Sequence, residues 1–98
     1  MARETSQTIR RWGDETFGNV LNLSTLVARA RLEIEELEQA VGENNPDHIG
    51  EEAADVAILL HRLLGLIGKE LDEEVDAKMS VNRARKWRPS GDGVGRHI

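Results

Sequence analysis

The chain contains no cysteine, so neither disulfides nor thiolate metal sites are available to it. Aromatic residues are scarce, and Trp12, Phe17 and Trp87 are the only three. No apolar run approaches the roughly 18–20 residues of a membrane span. Arg10, Arg11, Asp14 and Glu15 interrupt any apolar core of a signal peptide. A cytoplasmic protein with no membrane partner is the expectation. Internal repeats and low-complexity tracts are also missing, and 98 residues suit one domain. Its core would be small, which favours oligomerisation.

A broad basic face, the usual mark of a nucleic-acid binder, is missing too. Residues 31–76 carry 14 acidic and 3 basic side chains, whereas residues 77–98 carry 6 basic and 1 acidic. No stable nucleic-acid binding is expected. The asymmetry suits a site that gathers cations in one place and phosphates in another.

Four helices are predicted. The first runs from about Thr5 to Glu15, with Ile9 and Trp12 on one face, and a loop spans Phe17 to Leu23. Ser24 is a plausible N-cap for the second, which ends near Val41 with Gly42 as its stop signal. Leu23, Val27, Ala30, Ile34, Leu37 and Val41 form its expected apolar stripe. Asn45 and Pro46 supply a cap and a first helical residue for the third, which runs to about Gly68. Because that helix is apolar on most sides from Ala53 to Ile67, it should be central. Asp72 is the candidate cap of the fourth, which reaches roughly Lys86. The expected fold class is all-α: a four-helix-bundle core of antiparallel helices over about 5–87, oligomeric, with a Gly-rich tail over 88–98.

Charge interrupts this pattern at four positions. Glu33 and Glu36 form one E-x-x-E pair, and Glu52 and Asp55 form an E-x-x-D pair on the otherwise apolar third helix. A spacing of three places both carboxylates of each pair on one helix face. Burying them is costly unless something pairs with them, and four carboxylates cannot pair with one another. They can share hard divalent cations, Mg2+ first and Mn2+ as the alternative. A di-iron bundle would need E-x-x-H, but the residues three before His48, His61 and His97 are Asn45, Ile58 and Val94. His61, set among leucines, reads as a core or interface residue.

Lys78 and Asn82 share a face of the fourth helix at a spacing of four, with Arg85 beside them. A cation and an amide aimed at carboxylate-held metal are what a triphosphate requires; a basic helix C-terminus favoured by the helix dipole accounts for them equally well. Trp12, Phe17 and Trp87 are candidates to stack on a nucleobase, although a core or interface role is the more common fate of aromatics.

The order E-x-x-E, then E-x-x-D inside EEAADVAILLHRL, then KMSVNRARKW resembles the MazG-like nucleoside triphosphate pyrophosphohydrolases over roughly residues 23–88. The closing GDGVGRHI resembles the tail of small single-domain members, which implies one MazG-like domain over 1–98. The resemblance implies Mg2+-dependent hydrolysis of a (deoxy)nucleoside triphosphate to monophosphate and pyrophosphate, in a nucleotide-pool housekeeping role, by a homodimer or homotetramer. It implies Glu33, Glu36, Glu52 and Asp55 as metal ligands and Lys78, Asn82 and Arg85 as phosphate contacts. Some relatives carry another acidic residue where this chain has Leu32, so the number of metals stays open. The proton acceptor stays open as well, with Glu51 a candidate beside the four ligands. Two other readings compete: a non-catalytic helical dimerisation module, and a same-fold hydrolase of another pyrophosphate-linked substrate.

Overall fold

The computed structural model describes residues 2–98. Four helices, α1 (Ser6–Phe17), α2 (Ser24–Glu43), α3 (Pro46–Leu66) and α4 (Leu71–Ala84), are followed by two short strands, β1 (Trp87–Pro89) and β2 (Gly95–His97). The fold is all-α in its body. Among the described residues, no helix is long and apolar enough to cross a membrane.

Local chemistry sets the helix ends. Thr5 and Thr8 close a reciprocal capping box at the start of α1. Asn45 Oδ1 accepts from the N–H groups of Asp47 and His48, and Pro46 takes the first position of α3. Two starts differ from the sequence reading. Ser24 lies inside α2 rather than capping it, and its N–H and hydroxyl both donate to Asn22 Oδ1. Glu70, not Asp72, caps α4. Gly42 does not stop α2 either. The helix continues to Glu43, and Asn44 ends it in the left-handed conformation (φ 56°, ψ 32°). That two-residue connection turns α3 back along α2 as a helical hairpin.

α3 is central, as its apolar sequence requires, and α1, α2 and α4 all pack on it. Gly65 permits the closest approach, because a Cβ there would strike the backbone oxygen of Ser6. Gln7 Nε2 also donates to the Gly65 carbonyl (3.1 Å). The buried stripe of α2 is Leu26, Ala30, Glu33 and Ala40. Val27, Ile34 and Val41, which the apolar pattern favours, are exposed within one chain. No residue of α4 is buried. The C-terminal stretch is not a featureless tail: β1 and β2 pair antiparallel, Trp87 against His97, Arg88 against Arg96 and Pro89 against Gly95. Gly91 and Gly93 hold positive φ in the connecting loop, a conformation open to glycine and strained for other residues.

A polar knot fixes the start of α4. Ser6 is fully buried. Its N–H donates to Glu70 Oε1 and its hydroxyl to Glu70 Oε2, both at 2.9 Å, while Oγ accepts from the Leu71 N–H. The single hydroxyl proton is committed to Glu70, so the 2.8 Å contact from His61 Nδ1 places the imidazole proton on Nδ1. The hydrogen bond from the Ser6 N–H, with those from the Ser6 hydroxyl and the Asp72 N–H and the nearby His61, lowers the Glu70 pKa against the opposing effect of desolvation. A depressed carboxyl pKa contributes stability that is present above the ordinary carboxyl range and lost as pH falls through the folded value. Melting curves between pH 7 and pH 3 are expected to show Glu70→Gln losing less stability over the acid limb than the parent protein. Parallel losses would remove Glu70 from the acid response.

Candidate active site

α2 and α3 bring two acidic positions face to face. Glu33 is 7 % exposed, and the Glu52 side chain is 15 % exposed. Carboxylate oxygens of Glu33, Glu36 and Glu52 all lie within 4.8 Å of one another. Each of these two carboxylates is half satisfied. Glu33 Oε1 accepts from Arg29 Nη2 at 2.8 Å, and Glu52 Oε1 lies 3.2 Å from His48 Nε2. The second oxygens, Glu33 Oε2 and Glu52 Oε2, are buried with no hydrogen-bond partner. An unpartnered buried carboxylate oxygen is costly, and two in one cluster fit a hard divalent cation with oxygen ligands.

Arg29 and His48 escaped the sequence reading. Both sit four residues before a site carboxylate on the same helix, and that spacing is the signal that would have found them. The hydrogen bond to Glu43 is the largest cause of a raised His48 pKa, and the charges of Glu43 and Glu52 add to it.

A cleft of about 640 Å³ opens beside the carboxylates. Glu33, Asp55, Arg29 and Arg62 are its charged lining residues. Trp12, Phe17, Leu26, Ile58 and Leu59 supply much of its apolar lining. The two aromatic rings meet edge to face, with centroids 5.4 Å apart and planes at 87°. Asp55 is exposed, shares the cleft wall with Glu33, and stands outside the tight group of three. Glu51 is exposed and lines no part of the cleft.

Other candidate residues lie elsewhere within the chain. Lys78, Asn82 and Arg85 belong to α4 and its C-cap, and none of them lines the cleft. Asn82 Oδ1 is itself buried without a partner. Trp87 is on β1, where its Nε1–H donates to the Asn82 carbonyl (2.7 Å) and its ring packs near His97. A second acidic group, His61 with Glu70 and Asp72, also has metal-like spacing. Its chemistry differs, because both Glu70 oxygens already accept hydrogen bonds.

A helical fold that brings carboxylates of α2 and α3 together beside a cleft fits the MazG-like class of pyrophosphohydrolases. The family model for dATP/dGTP pyrophosphohydrolase matches residues 6–98, so this chain belongs to that family. A dATP/dGTP diphosphohydrolase of Cyanophage S-2L is 45% identical over 47 residues, 48% of this chain and 45% of the relative. The match thus spans less than half the length of that curated relative. The structure of a Cyanophage S-2L MazG-like pyrophosphohydrolase, bound to dGDP and three catalytic Mn2+ ions per active site, superposes with a TM-score of 0.73. It is 31% identical, and the alignment covers 95% of this chain and 88% of that one.

Proposed function

We propose that this protein hydrolyses purine deoxynucleoside triphosphates to the monophosphate and pyrophosphate, with a divalent cation held by Glu33, Glu36, Glu52 and Asp55. The observation that carries the reading is the pair of buried, unpartnered carboxylate oxygens, Glu33 Oε2 and Glu52 Oε2, beside an aromatic cleft. Similarity to the dATP/dGTP enzymes supports the purine and the reaction. Mg2+ is the physiological choice for an all-oxygen donor set, and Mn2+ satisfies the same ligands. When bound, such a cation neutralises phosphate charge and activates water for attack on phosphorus.

The chain's own residues do the rest. Glu33 and Glu52 are presented by two packed helices and are oriented by Arg29 and His48. Trp12 and Phe17 offer the faces on which the base stacks, and stacking alone accepts either purine. Lys78 and Arg85 neutralise the pyrophosphate end and the Asn82 amide donates to it; they belong to α4 and its C-cap, and α4 has no buried residue of its own. The exposed Val27, Ile34 and Val41, seven residues apart on α2, are covered in a homodimer or homotetramer. Sedimentation velocity is expected to show one of these states, and a monomer at working concentration would contradict it. The chain acts as a single domain in cleansing or adjusting nucleotide pools. One of the four ligand carboxylates, or Glu51, which precedes Glu52 in the sequence, takes the proton.

The test is product analysis after incubation with each of the four dNTPs in Mg2+ or in EDTA. Equal amounts of monophosphate and pyrophosphate from dATP and dGTP, absent in EDTA, are expected. Diphosphate with inorganic phosphate, or no product from folded protein, would overturn the reading.

A further inference from the structure

Between Arg31 and Lys69 the chain has one arginine or lysine, Arg62, in the middle of the apolar LLHRLLGL stretch. Nothing in the carboxylate chemistry uses it, yet it is only 7 % exposed. It leaves α3 and passes under α1 at Gly13, where a Cβ would collide with its Nε and lie 2.7 Å from both Cδ and Cζ. Beyond that gap Nη2 donates to the Gly18 carbonyl (3.1 Å) and lies 3.7 Å from Asp14 Oδ1. The guanidinium also sits over the Phe17 ring, 5.6 Å from its centroid. Three contacts from one side chain therefore converge on the last turn of α1, which carries Phe17 and borders Trp12.

The bond to the Gly18 carbonyl satisfies an acceptor at the helix end, but the approaches to Asp14 and Phe17 go beyond capping. Gly18 already ends α1 through its own N–H to the Asp14 carbonyl. Asp14 has a separate partner in Arg10 at 2.8 Å. What Arg62 adds is a fixed angle for the aromatic wall relative to α3, the helix that carries Glu52 and Asp55. An exposed aromatic pair at a helix end is otherwise free to change rotamer.

We propose that Arg62, accommodated by Gly13, is a positioning residue that holds Phe17 and Gly18 so that the aromatic wall receives the purine base. The proposal rests on the nucleotide reading of the cleft. Arg62 also lines the cleft, but its contacts are with Phe17, Gly18 and Asp14, so its effect falls on the base rather than on the phosphates. Arginine is required because a lysine cannot span the Gly18 carbonyl and the Phe17 face with one planar group.

The experiment compares ligands with and without a base. Calorimetric binding of dAMP and dGMP in Mg2+ is set beside binding of 2-deoxyribose 5-phosphate, and kcat and KM are measured for dATP and dGTP. Arg62→Gln is expected to weaken both nucleotides about tenfold, the size of one lost stacking contact. KM should rise with it, kcat should stay within about threefold, and binding of the base-free sugar phosphate should be unchanged. Arg62→Lys should not restore nucleotide affinity. Gly13→Ala, which displaces the Arg62 side chain without removing its charge, should reproduce the loss and gives the answer if Arg62→Gln fails to fold. Equal weakening of base-containing and base-free ligands, recovery by lysine, or unchanged nucleotide binding would overturn the proposal. Arg62-dependent nucleotide binding without hydrolysis would sink the proposed reaction while leaving this inference standing; hydrolysis with Arg62-independent binding would do the reverse.

Discussion

Replacing Glu52 with glutamine is expected to reduce nucleotide hydrolysis by about 10³-fold or more, because a charged ligand to a catalytic cation contributes several kcal/mol to the transition state. The helices should survive the change. Glu52 has one oxygen near His48 and one buried with no partner. Removing that charge relieves an uncompensated carboxylate beside Glu33 and Glu36. Melting in EDTA should therefore occur no lower for Glu52→Gln than for the parent. Circular dichroism and a pyrophosphate-release assay on the same preparation check both halves. Activity within tenfold of the parent would remove Glu52 from the site, and a large drop in melting temperature would recast it as a structural residue.

Divalent cation should also stabilise the folded chain by a wide margin. Three crowded carboxylates repel one another in the empty state, and ions that bind only the folded form add stability by mass action. At about a hundred times the dissociation constant the gain is about 2.7 kcal/mol. For a domain of this length that corresponds to a rise of about 10–20 °C in Tm. Mg2+ titrations followed by differential scanning fluorimetry check this, with NaCl at matched ionic strength as the control. A Glu33→Gln/Glu52→Gln double variant should lose the response. An equal rise in NaCl, or an undiminished rise in the double variant, would assign the effect to general screening rather than to this site. A plain helical interaction module would show no such selectivity.

The sequence made the helices legible because their ends carry explicit chemistry, as at Asn45 and Pro46. It made the acidic pair on α3 legible because carboxylates stand out in an apolar helix. α2 was harder to read because it carries two stripes. The more apolar one, with Val27, Ile34 and Val41, faces outward in the single chain. The buried one is built from Leu26, two alanines and Glu33, whose small or acidic side chains let α2 approach α3 and deliver a carboxylate to it. Hydrophobicity alone ranks those stripes in the wrong order, since it is blind to close approach and to buried charge.

The remaining gaps have similar causes. Arg29 and His48 look like ordinary intrahelical partners until the helices are packed, and only then do they half-neutralise the same cluster. Arg62 and Gly13 are 49 positions apart by number, and no local pattern joins them. The C-terminal hairpin leaves no mark in the sequence, because its strands are three residues each, too short to show alternation. Lys78, Asn82 and Arg85 remain proposals carried by the motif resemblance, since α4 contributes nothing to the cleft within one chain.

The most direct measurement is an anomalous difference map from crystals grown with Mn2+, recorded at the manganese absorption edge. The proposed site requires density between Glu33 Oε2 and Glu52 Oε2, with Glu36 or Asp55 completing the donor set. Manganese bound only at His61, Glu70 and Asp72, or nowhere on the chain, would contradict it.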